Sequence, residues 1–282
     1  MGFIYAISAA VLATAKDIVS KSVATKVSGT VSTIASFLYA LPFYLIIIAV
    51  AYFAGYEDLS FTTQFFGLVV LRAISDIGAE WCKMTALSKG DLSVVAAFYS
   101  LSPVFLLVLS PIITGDTLSA GGIAGVILVG LGTLTFGFKP KNGEKPQYKA
   151  MALGLASALF FSLNSCFDKL AVNQSSPLLS GFAMTALSGF ILVPFCKEPL
   201  RPALAVAHRP FLIRGFFETI FMISKLAALQ YLPAPYVVAI MRGSIIISII
   251  SGRTIFKESN FVQRLIGGFV ILAGICTIAL TL

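Results

Sequence analysis

The chain is 282 residues long, and 58% of its residues are hydrophobic while only 11% are charged. A soluble domain carries roughly 25% charged residues, so this composition excludes an ordinary water-soluble protein and predicts a chain that lies in lipid. The net charge of +8 is concentrated in short connections rather than on one face. That distribution is typical of the cytoplasmic loops of a membrane protein, and it argues against nucleic acid as a partner.

Ten apolar segments follow one another along the chain, and each is close to the roughly 20 residues that cross a bilayer core. They span residues 3–22, 29–53, 66–88, 93–113, 119–138, 150–171, 177–196, 210–230, 234–254 and 262–281. Turn-forming residues such as Gly55, Gly115 and Pro233 separate them. The first uninterrupted apolar run, Gly2 to Ala15, ends in Lys16 and Asp17 and has no basic stretch before it, so we expect a retained first span rather than a cleaved signal peptide.

One clearly polar stretch, KPKNGEKPQYK at residues 139–149, divides the chain into two halves of five segments. We therefore expect a first repeat at 1–138, a basic linker at 139–149 and a second repeat at 150–282. An odd number of spans in each half turns the second half upside down, which is how many secondary transporters are built. Lysines and arginines cluster in the linker and in alternate connections, so the positive-inside rule predicts a cytoplasmic linker and outer termini.

Charged residues recur at a fixed spacing, which indicates an internal duplication. Four pairs lie 142 residues apart: Arg72 and Arg214, Asp76 and Glu218, Lys83 and Lys225, and Asp116 and Glu258. Two glycine pairs continue the same spacing: Gly125 and Gly267, and Gly132 and Gly274. The first segment matches the sixth at a spacing of 148 residues: Ala10 with Ala158, and Lys21 with Lys169.

The third segment places four charged residues on one side of a helix. They are Arg72, Asp76, Glu80 and Lys83, and their spacing confines them to an arc of about 80°. Charged groups that face lipid are costly, so this stripe is expected to face protein or a water-filled cavity. Glu80 has no charged counterpart in the eighth segment, where Met222 takes its place. It is therefore a candidate for substrate binding or gating, with a structural pair to Lys83 as the alternative.

Two pairs within these stripes have the spacing of helical ion pairs. Arg72 and Asp76, and likewise Arg214 and Glu218, are four residues apart and can neutralise each other. We expect both pairs to be structural. Their companion lysines are expected to contribute to substrate binding or gating: Lys83 and Lys225.

Arg242 is the sharpest single candidate for substrate binding or gating. It lies in the ninth segment, seven residues after Pro235 and therefore ~10 Å deep, and no acidic residue lies within one helical turn of it. A buried guanidinium needs an acid from another helix or an anionic ligand, and both alternatives remain open. With Lys21, Arg253 and Arg264 counted among the loops, seven basic residues within the spans outnumber five acidic ones, which favours an anionic or zwitterionic substrate. The basic residues are Lys16, Arg72, Lys83, Lys169, Arg214, Lys225 and Arg242, and the acidic ones are Asp17, Asp76, Glu80, Asp168 and Glu218.

The proline and glycine patterns predict structural roles, and the cysteines indicate no metal or cofactor site. Pro103 lies in the fourth segment, where it either bends the helix around a cavity or serves packing. The glycines of the fifth and tenth segments predict close helix packing and also suit a homodimer. The four cysteines form no Cys-x-x-Cys pair, so no metal, disulfide framework or other cofactor is expected.

The sequence resembles the drug/metabolite transporter superfamily, and in particular its members with two tandem EamA domains. The resemblance rests on short motifs of the two copies: Ala86-Leu87, Pro103 and Asp116, then Val237 to Arg242, Ala228-Leu229 and Phe256-Lys257-Glu258. It implies an all-α membrane protein of ten transmembrane helices, arranged as an inverted repeat of two five-helix halves around a central cavity. The family includes carriers that bind anions through basic residues, a role that Arg242, Lys83 and Lys225 would fit.

The chain departs from this pattern at particular points. Asp116 replaces the usual glutamate, and Ile245 stands where the first copy has Pro103. Family members are expected to have cytoplasmic termini, whereas the lysine and arginine count here places the termini outside.

The leading hypothesis is a secondary transporter in the cytoplasmic (inner) membrane of a bacterium. It would move a small metabolite, leaning towards an organic anion or zwitterion, by alternating access with proton or exchange coupling. The alternative is a proton-coupled amino-acid or drug exporter in which Glu80 carries the proton, and a remote one is a non-transporting scaffold. An enzyme is not expected, because the single histidine, His208, supports neither a zinc motif nor a serine–histidine dyad.

Overall fold

A computed structural model describes residues 1–23, 27, 29–56, 62–87, 98–135, 148–244 and 261–282. Most of these residues are helical, and no strand occurs among them. The helices are α1 (Gly2–Val23), α2 (Gly29–Leu38), α3 (Leu41–Phe53), α4 (Thr63–Leu87), α5 (Ser102–Thr114), α6 (Ala120–Leu134), α7 (Tyr148–Val172), α8 (Pro177–Leu192), α9 (Leu200–Ala205), α10 (His208–Tyr231), α11 (Ala234–Met241) and α12 (Phe261–Ala279), with a 3-10 turn at Val193–Phe195.

The helices begin and end where the sequence supplies suitable residues. Ser119 and Ser176 cap α6 and α8, because each hydroxyl accepts the amide three residues further on at 3.1 Å. Gly55 and Gly115 follow α3 and α5 with φ angles of 72° and 70°, a left-handed conformation that glycine adopts without strain. Gly55, Gly115 and Ser176 lie in connections that the sequence predicts, and Ser119 is the first residue of the predicted fifth segment.

Three stretches are long and apolar enough to cross a membrane: Thr30–Phe53, Tyr148–Val172 and Pro177–Phe195. Shorter apolar helices occur at Gly2–Lys16, Ser102–Thr114, Ala120–Leu134 and Ile266–Ala279. Large apolar side chains such as Phe53, Ile112 and Phe269 are exposed on the surface, as is expected of a chain surrounded by lipid. Described helices lie in all ten predicted segments, while the ten-span count itself stays a prediction.

The two halves of the chain are interlocked by their helices. From the first half, α1 packs along α10 and α4 packs along α7, so each pair joins one helix from either side of the linker. The duplication relates α1 to α7 and α4 to α10. The two pairs are therefore equivalent contacts of the repeat, and they place the charged stripes of α4 and α10 at the contact between the halves.

A third pair, α6 and α12, packs through glycines that are equivalent in the repeat. A Cβ atom on Gly125 would lie 2.7 Å from the carbonyl oxygen of Gly274, and a Cβ atom on Gly274 would lie 2.6 Å from that of Gly125. Gly132 approaches the carbonyl oxygen of Gly267 to 2.9 Å by the same measure. The predicted close helix packing is confirmed, and it occurs within one chain.

The short helix α11 lies deep in the protein. Residues 234–240 are all buried, and α11 packs against α1, α5, α6 and α7. Arg242 follows directly after its last residue, Met241. The burial of α11 therefore fixes the position of this arginine between the two halves.

Candidate functional site

A cavity of about 560 Å³ lies between helices of both halves. Its wall is formed by α1, α2, α4 and α5 of the first half and by α7, α10 and α11 of the second, and it extends to Val27 in the connection after α1. Aromatic rings of Phe37, Tyr99, Phe161 and Phe221 form part of the wall. Six basic side chains contribute to it: Lys16, Arg72, Lys83, Arg214, Lys225 and Arg242. The acidic side chains among the described wall residues are Asp76 and Glu218.

The charged stripe of α4 is held in a buried network. Arg72, which is 7% exposed, lies 2.9 Å from the carboxylate of Asp76 and 3.3 Å from that of Asp168 on α7. Its guanidinium also donates to Ser188 of α8 at 3.1 Å, and Asp76 accepts a hydrogen bond from the amide of Asn164 at 2.8 Å. Charge and hydrogen-bonding capacity are thus matched, which a buried arginine requires.

Asp168 connects the two halves through its two oxygens. One accepts from Arg72 of α4, and the other lies 2.6 Å from the ammonium of Lys225 on α10. Asp168 is completely buried, whereas Lys225 reaches the cavity wall. Asp168 is not among the site residues that the sequence predicts. One signal was available, because the repeat places a serine, Ser20, at the corresponding position of the first segment.

The stripe of α10 has different partners. Arg214 donates to the carbonyl and hydroxyl oxygens of Ser32 on α2, at 2.6 and 2.7 Å. The carboxylate of Glu218 lies 3.1 Å from the ammonium of Lys16 on α1. That ammonium also lies 4.1 Å from the centre of the Phe221 ring, a distance suited to a cation–π contact. The sequence pattern predicted a pair within α10 and did not foresee these contacts with α1 and α2.

The other predicted site residues also lie at the cavity, except for one whose side chain is not described. Arg242 donates to the hydroxyl of Ser102 at 2.8 Å, and Lys83 lies 5.6 Å from the centre of the Phe161 ring. Both basic residues belong to the wall. The side chain of Glu80 lies outside the part of the chain that the structure describes.

Pro103 is the second residue of α5 rather than an interior one. Residues 100–101 form a turn before the helix begins, and proline is readily accommodated in a first helical turn, where amides lack an intrahelical partner. Pro103 thus lies in the first turn of α5, and the proline in the interior of this helix is Pro111. The start of the helix places the hydroxyl of Ser102 next to Arg242.

A further ionic contact, between Asp116 and Lys169, lies outside the cavity wall. We call it the ionic latch. Asp116, between α5 and α6, pairs with Lys169 of α7 and accepts the backbone amide of Ala234 at 2.9 Å. Lys169 also donates to the carbonyl oxygen of Leu232 at 2.9 Å. Burial alone would raise the pKa of Asp116, but hydrogen bonds from Lys169, Ser110 and Ala234 hold it below its ordinary value.

A hydrogen bond next to the ionic latch strengthens the same connection. The backbone amide of Ser119 donates to the hydroxyl of Tyr236 at 2.9 Å. Tyr236 lies on α11 and is 2% exposed. The loop between α5 and α6 is therefore fastened to the start of α11 at two points.

Comparisons with known proteins agree with this architecture. A solved structure described as "Crystal structure of protein" has a TM-score of 0.70 and 17% identity, and the match covers 99% of this chain and 98% of that one. At this identity the similarity shows the fold alone. A comparison with curated proteins finds no match. The model of the EamA-like transporter family matches residues 1–138 and 148–280. The chain therefore belongs to the EamA-like transporter family, as a tandem member of the drug/metabolite transporter superfamily and an integral membrane protein.

Proposed function

We propose that the protein is a secondary transporter that moves a small organic anion or zwitterion by alternating access, and that the cavity is its substrate site. The observation that carries this proposal is the cavity wall, where six basic side chains face two acidic ones among the described residues. The volume of about 560 Å³ lies within the roughly 300–1,000 Å³ of small-molecule sites. A positive wall in a low-dielectric environment attracts anions.

The proposed topology is a ten-span inverted repeat with units at 1–138 and 150–282, joined by the linker 139–149. The equivalent packing of α1 on α10 and of α4 on α7 supports it. With the linker in the cytoplasm, the connection at Val27 lies on the cytoplasmic side and the ionic latch on the outer side. The described conformation is then open inwards and closed outwards, in the inner membrane of a bacterium.

Within this proposal Arg242 binds the anionic group of the substrate. A guanidinium can hold a carboxylate or a phosphate through two parallel hydrogen bonds, which a lysine cannot reproduce. Its position after the buried helix α11 and its bond to Ser102 orient it at the wall. Lys83 and Lys225 add positive charge to the same cavity.

The first step of the test is to find a substrate. Purified protein is screened against metabolites by thermal shift, because a ligand that binds the folded state raises its apparent stability. The hits are then measured by uptake into proteoliposomes that contain matched amounts of wild-type, Arg242→Lys and Arg242→Ala protein. Charge-assisted hydrogen bonds contribute on the order of 1.5–3 kcal/mol each. We therefore expect Arg242→Lys to weaken apparent affinity and Arg242→Ala to weaken it at least about tenfold.

Arg201→Ala is the matched control, because Arg201 is exposed on α9 and does not contribute to the cavity wall. It should leave affinity unchanged. Unaltered affinity in a well-folded Arg242→Ala protein would remove Arg242 from the site. Transport of an amino acid or a drug that requires a proton gradient and fails in Glu80→Gln would instead support the proton-coupled amino-acid or drug exporter.

A further inference from the structure

The feature that carries a further inference is the position of Lys225 between a carboxylate and the cavity. The ammonium of Lys225 lies 2.6 Å from one oxygen of Asp168, and its side chain is 12% exposed at the cavity wall. The side chain of Asp168 is 0% exposed and does not line the cavity. An anion that enters the cavity therefore meets a lysine whose charge is already paired with Asp168, a carboxylate outside the cavity wall.

We propose that Asp168 is a resident counter-ion, a carboxylate of the protein that competes with the anionic substrate for Lys225 and so keeps substrate binding weak enough for release. The inference rests on the proposed function, since it assumes that the cavity binds an anion. Asp168 acts through Lys225 and has no contact with the cavity, so it is a positioning residue.

The competition follows from the chemistry of the ammonium group. Lysine has three donors and no acceptor, so one ammonium can contact two anionic groups at once. The two anions then repel each other, and the surrounding protein screens that repulsion less than water would. Binding the substrate at Lys225 therefore either weakens the bond to Asp168 or is itself weakened by it. A wall of fully available cations would instead retain an anion and slow its release.

The local network allows Asp168 to be neutralised without stranding its other partner. Arg72 keeps the carboxylate of Asp76 at 2.9 Å when the charge of Asp168 is removed. Asparagine has nearly the shape of aspartate, and its carbonyl oxygen can accept one of the two hydrogen bonds. In Asp168→Asn the net effect is one additional unneutralised positive charge, centred on Lys225.

Removal of the Asp168 charge is expected to raise the affinity for anions, which structural damage would not do. Loss of a purely structural residue lowers both stability and ligand binding, whereas loss of a competing anion raises affinity for external anions. The test measures the melting temperature of the purified full-length protein in detergent against inorganic phosphate, with ionic strength held constant by sodium chloride. We expect Asp168→Asn to show a larger phosphate-induced shift than the wild type and an apparent affinity on the order of tenfold higher.

Two further variants identify the origin of the gain. Asp168→Glu retains the charge and should behave like the wild type. Asp168→Asn combined with Lys225→Met should lose the gain, because the lysine that was released is gone. A phosphate shift in Asp168→Asn no larger than in the wild type would overturn the proposal. A gain that survives Lys225→Met would also overturn it, since the phosphate would then bind elsewhere.

Folding failure is also an informative outcome. Asp168→Ser places at this position the residue that the repeat has at Ser20. If Asp168→Asn and Asp168→Ser can be purified in phosphate but not in chloride, an external anion replaces the carboxylate and the proposal is supported. If neither variant folds in either buffer, Asp168 is structural and the proposal is wrong.

Transport measurements separate this inference from the proposed function. With a substrate from the screen, Asp168→Asn should lower both KM and kcat for uptake, because binding is tighter and release slower. A gain in phosphate binding that depends on Lys225, in a protein that transports none of the screened anions or zwitterions, would leave the counter-ion standing and overturn the proposed function. Transport that depends on Arg242, without any gain in Asp168→Asn, would overturn the counter-ion alone.

Discussion

The stripes of α4 and α10 carry the same kinds of charge at equivalent positions, yet the described contacts of these charges differ. Arg72 on α4 lies between the carboxylates of Asp76 and Asp168, whereas Arg214 on α10 donates to both oxygens of Ser32. The acid of α10, Glu218, is bound to a lysine of the other half. Repetition of charged residues therefore does not imply repetition of their roles.

The positions in contact are nevertheless inherited from the duplication. Asp76 accepts from Asn164, and Glu218 pairs with Lys16, which is the residue 148 positions before Asn164. Each arginine likewise donates to a serine on the second segment of the opposite half. Arg214 donates to Ser32 on α2, and Arg72 donates to Ser188 on α8. The duplication preserved which helices meet, and substitutions at those points produced an asymmetric charge distribution.

The largest expected difference between the two stripes lies in the removal of their arginines. Arg72→Ala removes the arginine from the buried carboxylate of Asp76 and leaves Asp168 with Lys225 as its cationic partner, and breaking a buried charge pair costs about 3–5 kcal/mol. Arg214→Ala removes hydrogen bonds from a carbonyl and a hydroxyl oxygen, with an expected loss of roughly 1.5–3 kcal/mol. Unfolding of both purified variants in mixed micelles measures this difference.

The double variant Arg72→Ala/Asp76→Ala should recover part of the loss. Recovery should be incomplete, because Asp168 remains without its bond from Arg72. Equal stability of the single and double variants would refute the ion-pair interpretation of α4, and equal losses for Arg72→Ala and Arg214→Ala would show that the stripes are equivalent after all.

The glycine contact between α6 and α12 supplies a place where the halves should behave alike. An added methyl group at Gly132 would lie 2.9 Å from the carbonyl oxygen of Gly267, and one at its repeat equivalent Gly274 would lie 2.6 Å from that of Gly125. We expect Gly132→Ala and Gly274→Ala each to lose about 1–3 kcal/mol of stability, measured by the same unfolding assay. Gly67→Ala is the control and should not be destabilising, since Gly67 lies in α4 with nothing within 4 Å of its added Cβ. Unequal losses at the two glycines would extend the asymmetry to the backbone contact.

The smallest expected effect concerns the pH dependence of the ionic latch. The pKa of Asp116 is lower in the folded protein than its ordinary value of 3.8. A depressed pKa stabilises the folded state above the ordinary value, and this contribution is lost as the pH falls through the folded pKa. The stability difference between wild type and Asp116→Asn should stay constant at neutral pH and shrink below about pH 4. Melting temperatures of the two proteins across this range provide the measurement, and a difference that persists in acid would contradict it.

The sequence predicted the class of fold and three of the basic residues that line the cavity. Low charge and ten apolar segments predicted a helical membrane protein, and the spacing of α4 predicted a polar stripe that indeed faces the protein interior. These are properties of composition and helical periodicity. Arg242, Lys83 and Lys225 were selected for their depth and repetition, and all three line the cavity.

The sequence could not predict which side chains of other helices the charged residues contact. Helical periodicity places Arg72 beside Asp76, but the contact of Asp168 with both Arg72 and Lys225 depends on how α4, α7 and α10 pack. The pairing of Glu218 with Lys16 has the same origin. Pro103 shows a different limit, because the point at which α5 begins is set by a local turn that an apolar pattern does not reveal.

The shortness and burial of α11 have a mechanical consequence. Its eight residues form a rod ~12 Å long, with the amide of Ala234 held by Asp116 at one end and Arg242 at the other. A helix of two turns transmits displacement along its axis rather than absorbing it. Under the proposed function, a displacement of Arg242 on substrate binding would be carried along α11 to the bond between Ala234 and Asp116, and this short helix would couple substrate binding to opening of the outer side.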